Sequence, residues 1–208
     1  MEDSEAIAVV DYGAGNIGSV LNMIRKAGGR GFAASRSEDL AASSKIILPG
    51  VGSFDNAMSR LSALRFVEPL KDHARAGRPL FGICLGMQLL SDASEEGGLE
   101  GLGLIPGEVR RFDFDGESIG LKVPHMGWNG VTPAKEHLLC RGLESDARFY
   151  FVHSYFYDTQ NPADALFYTE YGQRFASGVH RGNVMGVQFH PEKSHRFGMQ
   201  LLKNFIEL

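Results

Sequence analysis

The chain has 208 residues, enough for one domain with a sheet covered on both faces. Its net charge of −4 and pI near 6.0 offer no electrostatic basis for binding nucleic acid or an anionic membrane, and no apolar stretch reaches membrane-spanning length. The acidic start, Met1 to Glu5, reads as neither secretory signal nor transit peptide, and a disulfide between the two cysteines, Cys84 and Cys140, would consume a candidate nucleophile, so free thiols in a reducing cytoplasm are expected.

In chain order, Ala6 to Val10 is an apolar run ending at Asp11-Tyr12-Gly13, which predicts a buried strand and a turn. Ile17, Val20, Leu21 and Ile24 recur at helical spacing until Gly28-Gly29. A short strand around Gly31 to Ala34 follows, then a buried strand at Ile46-Ile47-Leu48, terminated by Pro49-Gly50. Helical patterns cover roughly Phe54 to Ala76, and Pro79 to Ile83 is again strand. Up to Asp92 the alternation of strand and helix predicts a parallel sheet. Glu95 to Gly103 reads as glycine-rich loop. Beyond it lie β-like runs at Glu108 to Phe114, Arg148 to Tyr157, Ala165 to Glu170, Phe175 to His180 and Val184 to Phe189, then a helix from Ser194 to Leu208. The expectation is one α/β domain over residues 1–208, with a largely parallel central sheet flanked by helices and an antiparallel β extension.

Gly82-Ile83-Cys84-Leu85-Gly86 has the pattern of a nucleophile elbow with sulfur in place of a serine hydroxyl. The strand before it and the run Leu85 to Leu90 after it supply the strand–turn–helix context, while Gly82 and Gly86 remove side chains that would collide around a sharp turn. The sulfur is then at a helix N-terminus, where the macrodipole favours negative charge. A thiol nucleophile needs a base. His190-Pro191-Glu192 follows a strand; Pro191 keeps His190 out of the helical region, and in extended chain residues i and i+2 share a side. These observations predict a Cys84–His190–Glu192 triad at the C-terminal edge of the sheet. Backbone donors for an oxyanion are expected from Leu85 and from the turn Pro49-Gly50-Val51-Gly52.

Other patterns are weaker. Gly13-Ala14-Gly15-Asn16-Ile17-Gly18 matches a dinucleotide fingerprint, but Glu38 and Asp39 follow Ser35-Arg36-Ser37 rather than a clean strand, so a tight, closely packed turn is the better reading. His-x-Glu without a downstream Pro-Cys-x-x-Cys is not a zinc deaminase signature, and the remaining histidines lack metal spacing; no metal and no cofactor are expected. Cys140 reads as structural. Trp128 would ordinarily be core, but Met126, Gly127 and Asn129 beside it suit an interface better.

The elbow through Gln88, together with Phe189-His190-Pro191-Glu192, resembles the class I (triad) glutamine amidotransferases. The resemblance implies attack of the cysteine on the side-chain amide of L-glutamine, with Gln88, Gly52 and the backbone of Ser154 and Tyr155 holding the amino-acid head group. Pro49 to Phe54, Pro124 to Asn129, Tyr150 to Tyr155, Gln188 to Ser194 and Asp11 to Ile17 are similar to the branch of glutaminase subunits that serve imidazole glycerol phosphate synthase in histidine biosynthesis. That branch implies a (β/α)8-barrel cyclase partner receiving ammonia through an interface that includes Asn16, Met126, Trp128 and Asn129. It also implies a Gly50–Val51 peptide that reorients to serve the oxyanion. A glutaminase for anthranilate, aminodeoxychorismate or pyridoxal phosphate synthesis, and a non-catalytic binding subunit, stay open at this point.

Overall fold

The computed structural model describes residues 6–114, 121–143 and 146–208; the acidic start at Met1 to Glu5 lies outside them. The elements are β1 Ile7–Val10, α1 Ile17–Lys26, β2 Gly31–Ala34, β3 Lys45–Gly50, α2 Phe54–Ala63, α3 Val67–Arg75, β4 Leu80–Cys84, α4 Leu85–Gln88 and β5 Ala93–Ser94. There follow β6 Gly107–Arg111, β7 His125–Gly130, β8 Thr132–Pro133, β9 Arg148–His153, β10 Tyr155–Thr159, β11 Ala165–Tyr171, β12 Gln173–Arg181, β13 Val184–Val187 and α5 His195–Ile206.

The main sheet runs β2-β1-β3-β4-β13-β12-β10-β6-β5, with β11 paired to β12 and β8 to β11. The strands from β2 to β13 are parallel, and β12, β10 and β6 extend the sheet in antiparallel fashion. Strands β1, β4 and β13 are buried on both faces, as continuous apolar runs in a covered parallel sheet should be. Alternate side chains divide the core. Ala8 and Val10 pack towards Phe54, Leu61 and Leu70 of α2 and α3, whereas Ile7 and Val9 pack towards Val20, Ile24 and Leu201 of α1 and α5. On the second side the Phe81 and Phe205 rings stack at 5.0 Å.

Four local expectations differ from the structure for identifiable reasons. The helical stretch from Phe54 to Ala76 breaks at Leu64 to Phe66, with Arg65 at φ 59°. Pro69 requires this break, because proline is tolerated in a helix's first turn but not in its interior. Pro49 and Gly50 do not end their strand; they belong to β3 and pair with Ile83 and Cys84. The run Arg148 to Tyr157 splits at Ser154, where the chain passes from a small sheet formed by β7 and β9 into the main sheet. Strand β7 itself was not expected, since its exposed positions and two glycines mask the alternation.

Asn204, buried on α5, clamps the one-turn helix at Leu138–Cys140: its Nδ2 donates to Leu139 O at 2.9 Å and Arg141 O at 2.7 Å. Asn204→Leu leaves both carbonyls without that donor, and unfolding in urea should show a loss of roughly 2–4 kcal/mol. An unchanged midpoint would mean these bonds contribute nothing net.

Candidate active site

Strands β3, β4 and β13 are neighbours, so their C-terminal ends deliver three distant stretches of chain to one place. Gly50 lies in register with Cys84, and Ile83 with Val187, two residues before the segment Phe189-His190. Cys84 has φ 55° and ψ −113°, a strained conformation for a residue with a side chain. The turn exists because backbone comes very close to backbone. A Cβ on Gly82 would stand 2.5 Å from Gly86 O, and one on Gly86 would overlap Leu48 O. The helix that follows is a single turn, Leu85–Gln88, so the macrodipole expected of a longer helix is largely missing. What remains are the first-turn N–H groups, which have no intrahelical acceptor.

A cavity of about 340 Å³ opens at this edge, within the range of small-molecule sites. Val51, Gly52, Cys84, Leu85, Gln88, Ser154, Tyr155 and His190 line it. Gly50 lies just beneath, over the buried Tyr12 hydroxyl: a Cβ there would be 2.6 Å from that oxygen. His190 and Glu192 are 3% and 4% exposed, with His190 Nδ1 2.8 Å from Glu192 Oε1. They meet by another route than extended chain, because Pro191–Lys193 forms a 3-10 turn that swings Glu192 under the imidazole. Ser194 secures this turn. Its Oγ donates to His190 O at 2.6 Å and accepts from Tyr150 N at 3.0 Å.

Burial pushes the His190 imidazolium down, but hydrogen bonding towards Cys84 and Glu192 and their charges prevail, raising its pKa from 6.5 to about 10. Among the described residues no group engages His190 Nε2 in hydrogen-bond geometry; Cys84, which lines the same cavity, is one of the two groups whose bonding and charge raise the imidazole's pKa. A contact to the sulfur escaped the sequence reading. Tyr155 O can only accept, so Gln88 turns its Nε2 to it at 3.2 Å and to Gln188 Oε1 at 2.9 Å. Gln188 therefore aims its own Nε2 at Cys84 Sγ, 3.7 Å away.

Glu96, Pro124, Val152 and His153 also line the cavity and were not singled out from sequence. Glu96 Oε2 accepts from Phe54 N at 2.8 Å, capping α2. The only sequence signal for Glu96 was a loop carboxylate near the elbow. Asn16, Met126, Trp128 and Asn129 do not line the cavity, although Met126 pairs with Val152, which does. Asn16 caps α1 by accepting from Ser19 N, and the glycines before it make a tight turn whose Gly13 O accepts from Arg60. Trp128 and Met126 are 47% and 62% exposed on β7, so core packing does not account for the lone tryptophan; its ring stacks on His195 at 5.4 Å. Among the described residues no cluster of His, Cys, Asp or Glu is placed to hold a metal ion.

The family profile described as glutamine amidotransferase class-I matches residues 8–208. The chain belongs to this family. An imidazole glycerol phosphate synthase subunit HisH 2 of Pseudomonas aeruginosa is 49% identical over 203 residues, covering 97% of this chain and 99% of that protein. The HisH subunit of Bdellovibrio bacteriovorus is also 49% identical, covering 97% and 100%, and a HisH 2 subunit of Methanococcus maripaludis is 46% identical, covering 97% and 98%. Among solved structures, PurLQS of Thermotoga maritima superposes with a TM-score of 0.75 at 18% identity, covering 97% of each chain. The glutaminase domain of Trypanosoma brucei CTPS gives 0.65 at 18% identity, covering 96% and 92%. These two share the fold at low sequence identity.

Two expectations follow. Gly86→Ala should collapse the elbow, seen as a large drop in melting temperature and loss of Cys84 alkylation by iodoacetamide; a variant that alkylates like the parent would show the contact with Leu48 can relax. The second concerns pH. A group whose folded pKa exceeds its unfolded value contributes fully below the unfolded value and loses that contribution as pH rises to the folded one. The stability difference between wild type and His190→Gln should therefore shrink from pH 6.5 to about 10. A difference independent of pH in urea titrations would contradict an imidazolium in the fold.

Proposed function

We propose that this chain hydrolyses L-glutamine to glutamate and ammonia as the glutaminase subunit of an imidazole glycerol phosphate synthase, passing ammonia to a (β/α)8-barrel cyclase partner in histidine biosynthesis. The observation that carries the reading is the meeting of Cys84 and His190 on one cavity, with Glu192 held against the far side of the imidazole. The near full-length similarity to HisH subunits selects the acceptor pathway.

In this reading the Cys84 sulfur attacks the carboxamide carbon, and the carbonyl oxygen becomes an oxyanion received by N–H groups of Leu85 and the Gly50–Val51 turn. The Gly50–Val51 peptide reorients to complete this pair when the cyclase is liganded. His190, favouring its protonated form, gives a proton to the departing nitrogen, which leaves as ammonia. Water then loses a proton to His190 and attacks the thioester carbon, releasing glutamate and restoring the sulfur. Glu192 orients the ring and balances the imidazolium throughout. Gly52, Gln88 and the backbone of Ser154 and Tyr155 hold the head group, and the Glu96 carboxylate faces its ammonium from the cavity wall. Because ammonia in neutral water is mostly ammonium, which is not a nucleophile, direct transfer across the interface is favoured. Asn16, Asn129 and the exposed Met126 and Trp128 supply this chain's side of that contact. Both cysteines are free and no described helix is long and apolar enough to cross a membrane, in keeping with a cytoplasmic setting.

Mixed with the barrel cyclase and its nucleotide ligand, the chain should hydrolyse glutamine faster than alone. Absence of stimulation would overturn the assignment. Cys84→Ala or His190→Ala should cut glutamine-dependent synthesis by about 10³-fold or more, while ammonium salts still support the complex. Glu192→Gln should cost less than either, since it moves no proton. Loss of the ammonia-dependent reaction as well would point to failed assembly instead of failed chemistry.

A further inference from the structure

Strand β7 lays His125 directly opposite His153 of β9, and both rings are buried. His153 Nδ1 is 2.7 Å from Tyr155 O, the carbonyl that also accepts from Gln88. A carbonyl has no proton to give, so Nδ1 donates. In the neutral ring Nε2 must then accept, and His125 Nδ1, 2.9 Å away, must donate to it. His125 Nε2 accepts in turn from Asn129 Nδ2 at 3.2 Å, whose amide also donates to Glu170 O at 2.9 Å. The chain of bonds is matched at each link and runs in one direction only. Both imidazoles are neutral at physiological pH: burial lowers His125 from 6.5 to about 4 and His153 to about 3.

This arrangement sits in an aromatic cage. Phe151 and Tyr171 stack on the His125 ring at 4.7 and 4.0 Å, and Phe112 and Phe175 meet it edge-on. Apolar residues would fill such a cage without the desolvation cost of two imidazoles and an amide. The polar choice has one visible product, a fixed Tyr155 carbonyl at the cavity wall.

We propose that His125 and His153 are positioning residues which, through this directed hydrogen-bond chain, hold the Ser154–Tyr155 segment in place to receive the amino-acid head group of glutamine. The proposal rests on the glutaminase reading above. His125 touches no reacting atom, and Gln188 keeps its bond from Gln88 whatever becomes of the Tyr155 carbonyl, so loss of His125 acts on binding and leaves the sulfur's reactivity intact.

The test compares His125→Phe, which keeps the cage filled but removes the donor, with His125→Gln, whose amide can still donate to His153, both assembled with the cyclase. KM for glutamine should rise about tenfold in His125→Phe with kcat within about threefold, and His125→Gln should recover most of the loss. The rate of Cys84 alkylation by iodoacetamide should match wild type in both. If His125→Phe does not fold, Asn129→Leu, which removes the terminal donor, should raise KM by a smaller factor and by the same factor with and without the cyclase, whereas a rise confined to the complex would assign the effect to the interface and overturn the proposal. An unchanged KM, no recovery by glutamine at position 125, or a joint fall of kcat and alkylation overturns the proposal. A wild-type complex that turns over no glutamine would sink the glutaminase reading itself; a competent wild type with an indifferent His125→Phe sinks this inference alone.

Discussion

The constraint on which the site depends is the contact of backbone with backbone beneath the sulfur. Gly86 lies against the Leu48 carbonyl and Gly82 against Gly86, leaving no room for a Cβ at either position. That contact forces Cys84 to φ 55°, a conformation costing on the order of 1–3 kcal/mol. The surrounding strands β3, β4 and β13 over-determine it by pairing on both sides, so the strain is held in place. The sulfur is exposed to a cavity although its residue is buried in the centre of the sheet.

Electrostatics divides the histidines into two kinds by their partners. His190 faces a carboxylate and a sulfur, and these outweigh burial to favour the imidazolium. His73, His125 and His153 bond to carbonyls, an amide and each other, and burial outweighs the carbonyl bonds to lower all three, with the charges of Arg78 on His73 and of His125 and His190 on His153 adding to it. The same buried ring is thus held towards its protonated form in one place and as a neutral donor–acceptor in another. The Tyr155 carbonyl governs much of this sorting, because its inability to donate sets the direction of the bonds through both Gln88 and His153.

Much of this was legible in the chain itself. The parallel strands declared themselves as short apolar runs, and the elbow and His-Pro-Glu segments as glycine and proline patterns at strand ends, which the sheet brings to one cavity. Less legible were features created by pairing between distant strands. Strand β7 has alternation diluted by glycine and by surface tryptophan and methionine, and nothing local says that His125 will face His153. Gln188 reads as one more residue of a strand until Gln88 turns it towards the sulfur. Glu96 lies in a loop whose path is set by the α2 terminus it caps. The route from His190 to Glu192 was also hidden, since alternation along an extended chain and a tight 3-10 turn both bring them together.

The cavity is lined from two sheets. Cys84 and the Gly50–Val51 turn stand at the edge of the main sheet with His190 just beyond β13, whereas part of the opposite wall, Val152 and His153, belongs to the two-stranded ribbon of β7 and β9. The ribbon is tied to the main sheet at several points: the Tyr150 backbone accepts from His190 N at 2.9 Å and donates to Ser194, Asn129 donates to Glu170 O, and the Phe149 ring stacks on Phe189. The exposed Met126 pairs with Val152 of the cavity wall, so a body resting on the bare methionine and tryptophan would bear directly on that wall.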